Sequence, residues 1–270
     1  MKRIVGWRGS PVHRDSARWA RRCVALGLAV ALGMGRAAAT ERHVPSPYGT
    51  IQAAIDAAVN GDVVIVADGV YSGPGNQNVM LLGKSIVVRS ANGPQNCIID
   101  CGHAGSGFRP NQVEPPSTVI DGFTVRNAAD SGMMCGSTSL TIANCILTGN
   151  AASVGGGLAL SGSGGGVVED CTITSNVATY YGGGVYVGAA AGWIIRRCTI
   201  QQNQTESPEP WGGMGGGVCL ESGGINYLVE CVVTANAANW GGGLAGSGRV
   251  FNCTISGNTA AYGGGGECYS

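Results

Sequence analysis

The chain has 270 residues, of which 48 are glycine, and charged residues make up only 12%. Globular proteins have roughly 7% glycine and about 25% charged residues, so this composition excludes a protein built on long helices and favours many turns. The formal net charge of the whole chain is zero, so the sequence lacks the overall excess of basic residues that is typical of nucleic-acid-binding proteins.

Residues 1–39 are predicted to be a signal peptide. A basic segment extends from Lys2 to Arg22, an apolar run follows from Val24 to Met34, and Ala37–Ala39 offers a small-residue cleavage site. The pair Arg21-Arg22 leaves twin-arginine export as an alternative route. The other alternative, a membrane anchor, is disfavoured because a span needs about 20 apolar residues.

Export changes the charge of the remaining chain. Eight of the 16 basic residues and one of the 16 acidic residues lie in the predicted signal, so its removal leaves a net charge of −7 and ten cysteines. An acidic chain is a poor partner for nucleic acid, and no second apolar segment is long enough to span a membrane. We therefore expect a protein that is secreted or held on the outer surface of the cell.

A leader of residues 40–49 precedes a predicted domain of residues 50–270, which opens with a short helix. Thr50 can cap that helix, Ile51, Ile55 and Val59 form an apolar stripe, and Asn60-Gly61 would end it. Asp62–Ala67 is then a buried strand. Because a solenoid exposes unpaired strand edges at its ends, we expect the helix to cover the N-terminal mouth.

One short phrase occurs five times between Cys145 and Asn258, and its copies begin with cysteine and end with asparagine. A triple glycine follows each copy, and a repeat of 20–50 residues is typical of solenoids. Since the phrase alternates like a strand, in-register stacking predicts two interior columns. They consist of Cys145, Cys171, Cys198, Cys231 and Cys253, and of Asn150, Asn176, Asn203, Asn236 and Asn258.

The column spacing of about 4.8 Å would let the asparagine amides bond to one another. Cysteines at one repeated strand position favour reduced thiols that pack as small apolar residues. Disulfides remain an alternative because the chain is predicted to be exported. The better disulfide candidates are the cysteines outside the repeated position: Cys97, Cys101, Cys135, Cys219 and Cys268. Only His43 and His103 follow the signal and no CxxC pair occurs, so zinc is not expected.

The start of the predicted domain resembles a known superfamily. The segment Thr50-Ile-Gln-Ala-Ala-Ile-Asp56, followed by Gly61-Asp62-Val63 and Ala67-Asp-Gly-Val-Tyr71, is similar to the opening of pectin-lyase-like right-handed parallel β-helices. The phrases Leu147-x-x-Asn150 and Ile173-x-x-Asn176 with their triple glycines resemble repeats of the chlamydial polymorphic outer membrane proteins. The resemblance implies an all-β, single-stranded right-handed parallel β-helix with a short N-terminal capping helix.

The resemblance does not bring a catalytic motif with it. The chain lacks the characteristic segments of pectinesterases and polygalacturonases, and Lys84 is the only lysine after the signal. Asp100 and Asp121 are 21 residues apart, about one coil, so the spacing predicts two stacked carboxylates about 5 Å apart. Such a pair would suit a retaining acid pair or a shared Ca²⁺ ion. No cofactor is expected, and calcium at these two aspartates is the alternative. His103, Arg109, Arg126 and Asp130 are candidate neighbours. The alternative is a solvated outer ladder without chemistry.

Aromatic residues form a second candidate site. Tyr181, Trp240 and Tyr262 each precede a triple glycine, so they would line one edge of the solenoid. An insertion of residues 204–211 adds Glu206, Glu209 and Trp211 to the coil between two of them, and insertions in repeat proteins map to one face, often the binding face. Aromatic rings beside carboxylates suit sugar rings. Corner packing without a ligand is the alternative.

We predict an exported β-helix protein that binds a polysaccharide or a host or cell-surface component without catalysis. One alternative is a carbohydrate-active enzyme, such as a polysaccharide lyase or glycoside hydrolase. Another is a structural spacer of a larger surface protein. Only Glu267–Ser270 follow the last glycine run, so the C-terminal coil is expected to be incomplete and its edge available to pair with another chain.

Overall fold

The computed structural model describes residues 39–110, 113–189, 191–209, 212–262 and 266–268, the last three as backbone. Residues 1–38 of the predicted signal peptide lie outside the described residues. So do Trp211 of the predicted aromatic site and the last triple glycine, at 263–265.

All strands of the described residues belong to four sheets of parallel strands, which we name A to D in the order in which one coil visits them. The nine strands of sheet A are Glu41–Val44, Val63–Val66, Val87–Ser90, Val119–Asp121, Thr141–Ala143, Val167–Glu169, Ile194–Arg196, Tyr227–Val229 and Arg249–Phe251. The eight strands of sheet B are Gly69–Tyr71, Cys97–Asp100, Thr124–Arg126, Ile146–Thr148, Thr172–Thr174, Thr199–Gln201, Val232–Thr234 and Thr254–Ser256.

The remaining two sheets start later in the chain. Sheet C contains Ala151–Val154, Val177–Tyr181, Gln204–Thr205, Ala237–Trp240 and Thr259–Tyr262, and sheet D contains Met133–Cys135, Leu158–Leu160, Val185–Val187, Val218–Leu220, Leu244–Gly246 and Gly266–Cys268. Neighbours within a sheet are one coil apart, as in the pairing of Ile173 with Leu147 and Ile200. This confirms the predicted parallel solenoid of about eight coils.

The helix α1, Ile51–Ala57, starts where the sequence predicts it but ends earlier. The Thr50 side chain accepts a hydrogen bond from the Ala53 N–H, and Ile51 and Ile55 are fully buried. Ala58 is already extended, and Val59 is 56% exposed instead of extending the apolar stripe. The helix stops there because the Val59 N–H donates to the Asp62 carboxylate.

Asp62 also fastens the first strand, which lies within the predicted leader. Its carboxylate, 2% exposed, accepts hydrogen bonds from the Thr40 N–H and from Arg42 at 3.0 Å, in addition to the bond from Val59. Burial acts to raise the pKa of Asp62, but these three donors outweigh it, so the pKa is lowered. The Asp62 carboxyl group therefore stays ionised in the folded protein and connects the first two strands of sheet A.

The five repeated asparagines form a continuous ladder, in which the first four are buried and Asn258 is half-buried. The Nδ2 of each of the first four donates to the Oδ1 of the asparagine one coil further along, at 2.9–3.0 Å. The Oδ1 of each of the last four also accepts the backbone N–H of the preceding ladder residue, and Nδ2 donates to a strand carbonyl such as that of Leu147. The ladder therefore provides hydrogen-bond partners for backbone groups at the B-to-C corner that cannot pair with a neighbouring strand.

The repeated cysteines form a second column, on the inner side of sheet B. Backbone N–H groups of Cys145, Cys198 and Cys231 donate to the sulfur one coil further along, at 3.3–3.4 Å. Phe123 and Cys97 continue the column into the earlier coils, as the register of the following residues shows. The described cysteines are all free, so they act as interior packing residues.

The alternative of disulfides therefore does not hold for the described cysteines, which are free. Cys97 begins one strand of sheet B and Cys101 directly follows that strand. Four extended residues span about 13 Å, beyond the reach of a disulfide. Cys135 and Cys219 lie on a different sheet, D, and both are buried. The side chain of Cys268 lies outside the described residues.

Residues with left-handed backbone make the corners between sheets. At the A-to-B corner they include Asp170, Arg197 and Glu230, with φ between 52° and 55°. This conformation costs about 1 kcal/mol or more outside glycine. The left-handed conformation is retained because the backbone N–H of each corner residue still donates a hydrogen bond to a carbonyl of the next coil, as Arg197 does to Val229.

The triple glycines make the C-to-D corner, and each position has its own constraint. Gly182 adopts a φ of +62°, whereas Gly183 faces the neighbouring coil, where an added Cβ would lie 2.3 Å from the Gln204 carbonyl oxygen. The backbones of successive coils touch here, so no side chain fits.

Candidate functional site

The structure separates the two carboxylates that the sequence predicts to stack. Asp100 lies in sheet B, in register with Arg126, whereas Asp121 lies in sheet A, in register with Arg89 and Ala143. The prediction is wrong because Cys97, not Cys101, occupies the cysteine column. The two aspartates therefore hold different positions within their coils, and no acid pair or two-carboxylate calcium site forms between them.

Each of these acidic residues has local partners. The Asn127 amide and Arg126, 2.9 Å away, both bond to the Asp100 carboxylate, and the bond from Asn127 is the main cause of its lowered pKa. Asp121 accepts a hydrogen bond from Asn144 at 2.8 Å. The same region contains an ion pair of Arg109 with Asp130 at 2.7 Å, and His103 is exposed in a left-handed turn.

Charged residues of the later coils are paired at the A-to-B corner. Arg197 contacts both Glu169 and Asp170 at 2.7 Å, and Arg196 contacts Glu169 at 2.6 Å. These side chains are 20–42% exposed, so the network contributes little stability. Among the described residues, no three His, Cys, Asp or Glu side chains come together as a metal-binding group.

The aromatic residues do share one edge of the solenoid, at the C-to-D corner. Tyr181, Met214 and Trp240 are successive members of one row, and Tyr262 follows Trp240. The Trp240 and Tyr262 rings stack with their centroids 4.4 Å apart, and Tyr262 is 50% exposed. This row is a half-exposed apolar strip that spans four coils.

The described part of the insertion lies beside this row. Glu206 and Glu209 are exposed, and Glu206 accepts a hydrogen bond from Gln204 at 2.6 Å. The Glu209 carbonyl accepts hydrogen bonds from Gly212 and Asn239. The loop is therefore held against the coil that carries Trp240.

A cleft of about 410 Å³, here called the first cleft, opens between the aromatic row and the outer face of sheet D. Its lining includes Tyr181, Met214, Cys219, Glu221, Ser222 and Ser247. Tyr186 is in register with Cys219, and Tyr181 packs near the Tyr186 ring at 6.3 Å. Apolar rings and a carboxylate thus meet at one opening.

Sequence reasoning missed Glu221 and Tyr186. Burial and a hydrogen bond to Glu221 raise the pKa of the Tyr186 hydroxyl, so Tyr186 stays a neutral donor that orients the carboxylate. The outward position of Tyr186 could be read from strand alternation in Val185-Tyr-Val187. Glu221 lies in a D-to-A turn, and these turns do not repeat in length, so no periodic signal marks it.

A second cleft, of about 560 Å³, adjoins the first and shares Ser222 and Ser247 with it. The rest of its lining comes from the D-to-A turns and from the start of the last strand of sheet A: Gly224, Ile225, Asn226, Gly248 and Arg249. The two clefts together form a continuous concave surface along the edge of the last three full coils.

Comparison with known proteins identifies the family. Residues 86–260 match the family model described as the right-handed β-helix region, so the chain belongs to that family. Its fold is similar to that of a pectin methylesterase from carrot, with 12% identity, a TM-score of 0.51, and coverage of 87% of this chain and 89% of that one.

A further match is the pectate lyase Pel9A, with 13% identity, a TM-score of 0.47, and coverage of 79% of this chain and 67% of that one. No curated protein sequence matches the chain. Among the described residues, no helix is long and apolar enough to cross a membrane. At these identities the structural similarity concerns the fold alone.

Proposed function

We propose that the protein is an exported, non-catalytic binding protein whose ligand is a glycan held in the first cleft. The observation that carries this proposal is the row of Tyr181, Met214 and Trp240 beside a 410 Å³ opening that also contains Glu221. Pyranose rings have an apolar face that packs on aromatic side chains, and their hydroxyls donate to carboxylates.

The arrangement of acidic residues supports binding over catalysis. A glycosidase needs two carboxyl groups about 5–10 Å apart across the scissile bond. Asp100 is tied to Arg126 and Asn127, and Asp121 lies on another sheet. The first cleft contains one carboxylate, Glu221, which Tyr186 holds by a hydrogen bond.

A screen that measures binding and product release on the same samples tests the proposal. The protein is incubated with a panel of polysaccharides, bound polymer is quantified, and new reducing or unsaturated ends are assayed. We expect binding without product. The Tyr181→Ala and Trp240→Ala variants should each lose about fivefold in affinity, since stacking contributes about 1 kcal/mol beyond area burial.

A matched control is Phe251→Ala, which removes an aromatic ring that is 49% exposed and belongs neither to the row of Tyr181, Met214 and Trp240 nor to the lining of either cleft. It should keep wild-type affinity. Product release that Glu221→Gln or Asp121→Asn abolishes would instead favour the carbohydrate-active enzyme. No binding and no product on any polymer would favour the spacer.

A further inference from the structure

The first cleft contains a carboxylate without a counter-ion among the described residues. Glu221 directly follows the sheet D strand Val218–Leu220, and strand alternation places it outward, on the same side as Cys219. It is half-buried, and none of the salt bridges of the described residues includes it. Its hydrogen-bond donor is the hydroxyl of Tyr186, which is neutral. The negative charge at this opening therefore lacks an opposite charge in direct contact.

The rest of the described lining of this cleft carries no charge. Besides Glu221 it consists of Tyr181, Met214 and small or uncharged residues. Arg249 lines the second cleft only, where it lies over the Tyr227 ring at 5.8 Å. The face of an aromatic ring attracts cations, and it does so more strongly where water is partly excluded. Tyr181 and Glu221 thus form a site that favours a positively charged group.

These features select the charge of the ligand. An acidic sugar would bring its carboxylate against Glu221, and like charges at an interface are unfavourable. A neutral sugar would shield Glu221 from water without supplying an opposite charge. A protonated amine supplies that charge together with several hydrogen-bond donors. Residues 40–270 contain 8 basic and 15 acidic residues, a net charge of −7, which attracts a cationic ligand over longer distances.

We propose that the first cleft binds an amino sugar whose amine is free and protonated, with the amine on the Glu221 carboxylate and the apolar face of the ring on Tyr181. This inference rests on the proposed glycan-binding function and names the class of glycan, a polymer of de-N-acetylated amino sugars. The aromatic row continues from Tyr181 over Met214 to Trp240, so further rings of the polymer can pack along it. A cationic peptide lacks these apolar ring faces, so the row favours a sugar.

Titration calorimetry with three tetrasaccharides of the same glucan backbone tests the inference. Cellotetraose carries only hydroxyls, chitotetraose carries an acetamido group on each ring, and its de-N-acetylated form carries a free amine on each ring. At about pH 6 an amine with a pKa of roughly 7–8 is protonated. We expect the de-N-acetylated form to bind about tenfold more tightly than the other two, because charge-assisted hydrogen bonds are the stronger ones. Equal affinities, or tightest binding of chitotetraose or cellotetraose, would overturn the amine assignment and leave the glycan proposal standing.

Two variants with the same change in net charge localise the preference. Glu221→Gln keeps the size of the side chain and an oxygen that can accept from Tyr186, but it removes the charge, so the preference for the de-N-acetylated form should disappear. Glu230→Gln removes an exposed carboxylate at the A-to-B corner, outside both clefts, and should keep the preference. An equal decrease in both variants would mean that the overall negative charge attracts the sugar, which would refute the site.

The wild-type protein provides a second test that does not depend on the folding of a variant. Between about 0.01 M and about 1 M salt the screening length falls from about 30 Å to about 3 Å. The preference for the de-N-acetylated form should therefore shrink severalfold, while the affinity for cellotetraose stays nearly constant. A preference that is independent of salt would contradict a charge contact at the half-buried Glu221.

The outcomes separate this inference from the proposed function. Tetralysine carries a similar charge without sugar rings, and if it binds as tightly as the de-N-acetylated tetrasaccharide, the inference is overturned in favour of a cationic peptide. Failure of the wild-type protein to bind any of the three sugars would also overturn the amine site, whereas the polymer screen decides the glycan proposal. Weaker binding of all three sugars in Tyr181→Ala, with the preference lost only in Glu221→Gln, is the result expected if both proposals hold.

Discussion

Replacing one asparagine in the middle of the ladder should destabilise the whole protein. Asn176 is fully buried, and its side chain makes four hydrogen bonds. Its Oδ1 accepts from the N–H and the Nδ2 of Asn150, and its Nδ2 donates to the Leu147 carbonyl and to Asn203 Oδ1. In Asn176→Ala, the Asn150 N–H loses its acceptor and the Leu147 carbonyl loses a donor.

The magnitude follows from those two backbone groups. A buried group left without its partner costs about 1–3 kcal/mol, so the expected loss of unfolding free energy is about 4 kcal/mol. For a protein of this length, each 1 kcal/mol shifts the melting temperature by about 2–4 °C. The Asn176→Ala variant should therefore melt about 8–16 °C below wild type.

Thermal melting followed by circular dichroism measures this, with Thr174→Ala as control in the same coil. Thr174 is half-buried on the outer side of sheet B, so its truncation should stay within about 0.5 kcal/mol. Asn176→Asp should melt lowest at neutral pH, because its charged oxygen faces two acceptors, and should recover partly in acid. Equal melting temperatures for Asn176→Ala and Thr174→Ala would refute the ladder argument.

Three further predictions concern the corners, the first strand and the thiols. Gly183→Ala should cost about 3 kcal/mol in a melting experiment because its Cβ would meet the Gln204 carbonyl, whereas Gly192→Ala, with nothing within 4 Å, should be neutral. The lowered pKa of Asp62 means that its stabilisation is complete above the unfolded value of 3.8 and is lost as pH falls through the folded value. Acid titration of Asp62→Asn should therefore show a shallower loss of stability than wild type; an equal slope would contradict the pairing. Burial raises the pKa of Cys97 and Cys101 to about 12, so alkylation at pH 8 with mass mapping should modify them only after unfolding.

The repeated phrase was sufficient to predict the later coils. One inner face is specified by Cys171, Ile173 and Asn176. Because every copy of the phrase has the same pattern, its strands can pair in only one register. The first coils carry no triple glycine. There the pair Asp100-Cys101 resembles the later pairs in which a polar residue directly precedes a cysteine of the column, although Cys101 is not in that column. The register there depends on the preceding strand, so the position of Asp100 relative to Asp121 could not be read from spacing.

The candidate site was only half predictable for a related reason. Tyr181 and Trp240 stand at a fixed place before the glycines, so strand geometry brings them to one edge. Glu221 lies in a D-to-A turn, and these turns differ in length from coil to coil. No sequence period therefore encodes its place beside Tyr181 and Met214 in the lining of the first cleft.

A crystal structure of the protein with the oligosaccharide that binds it most tightly tests the central claim most directly. We predict density for a sugar ring in the first cleft, against Tyr181 and within hydrogen-bond distance of Glu221. Density over the outer face of sheet B, beside Asp100 and Arg126, with an empty first cleft would contradict the account.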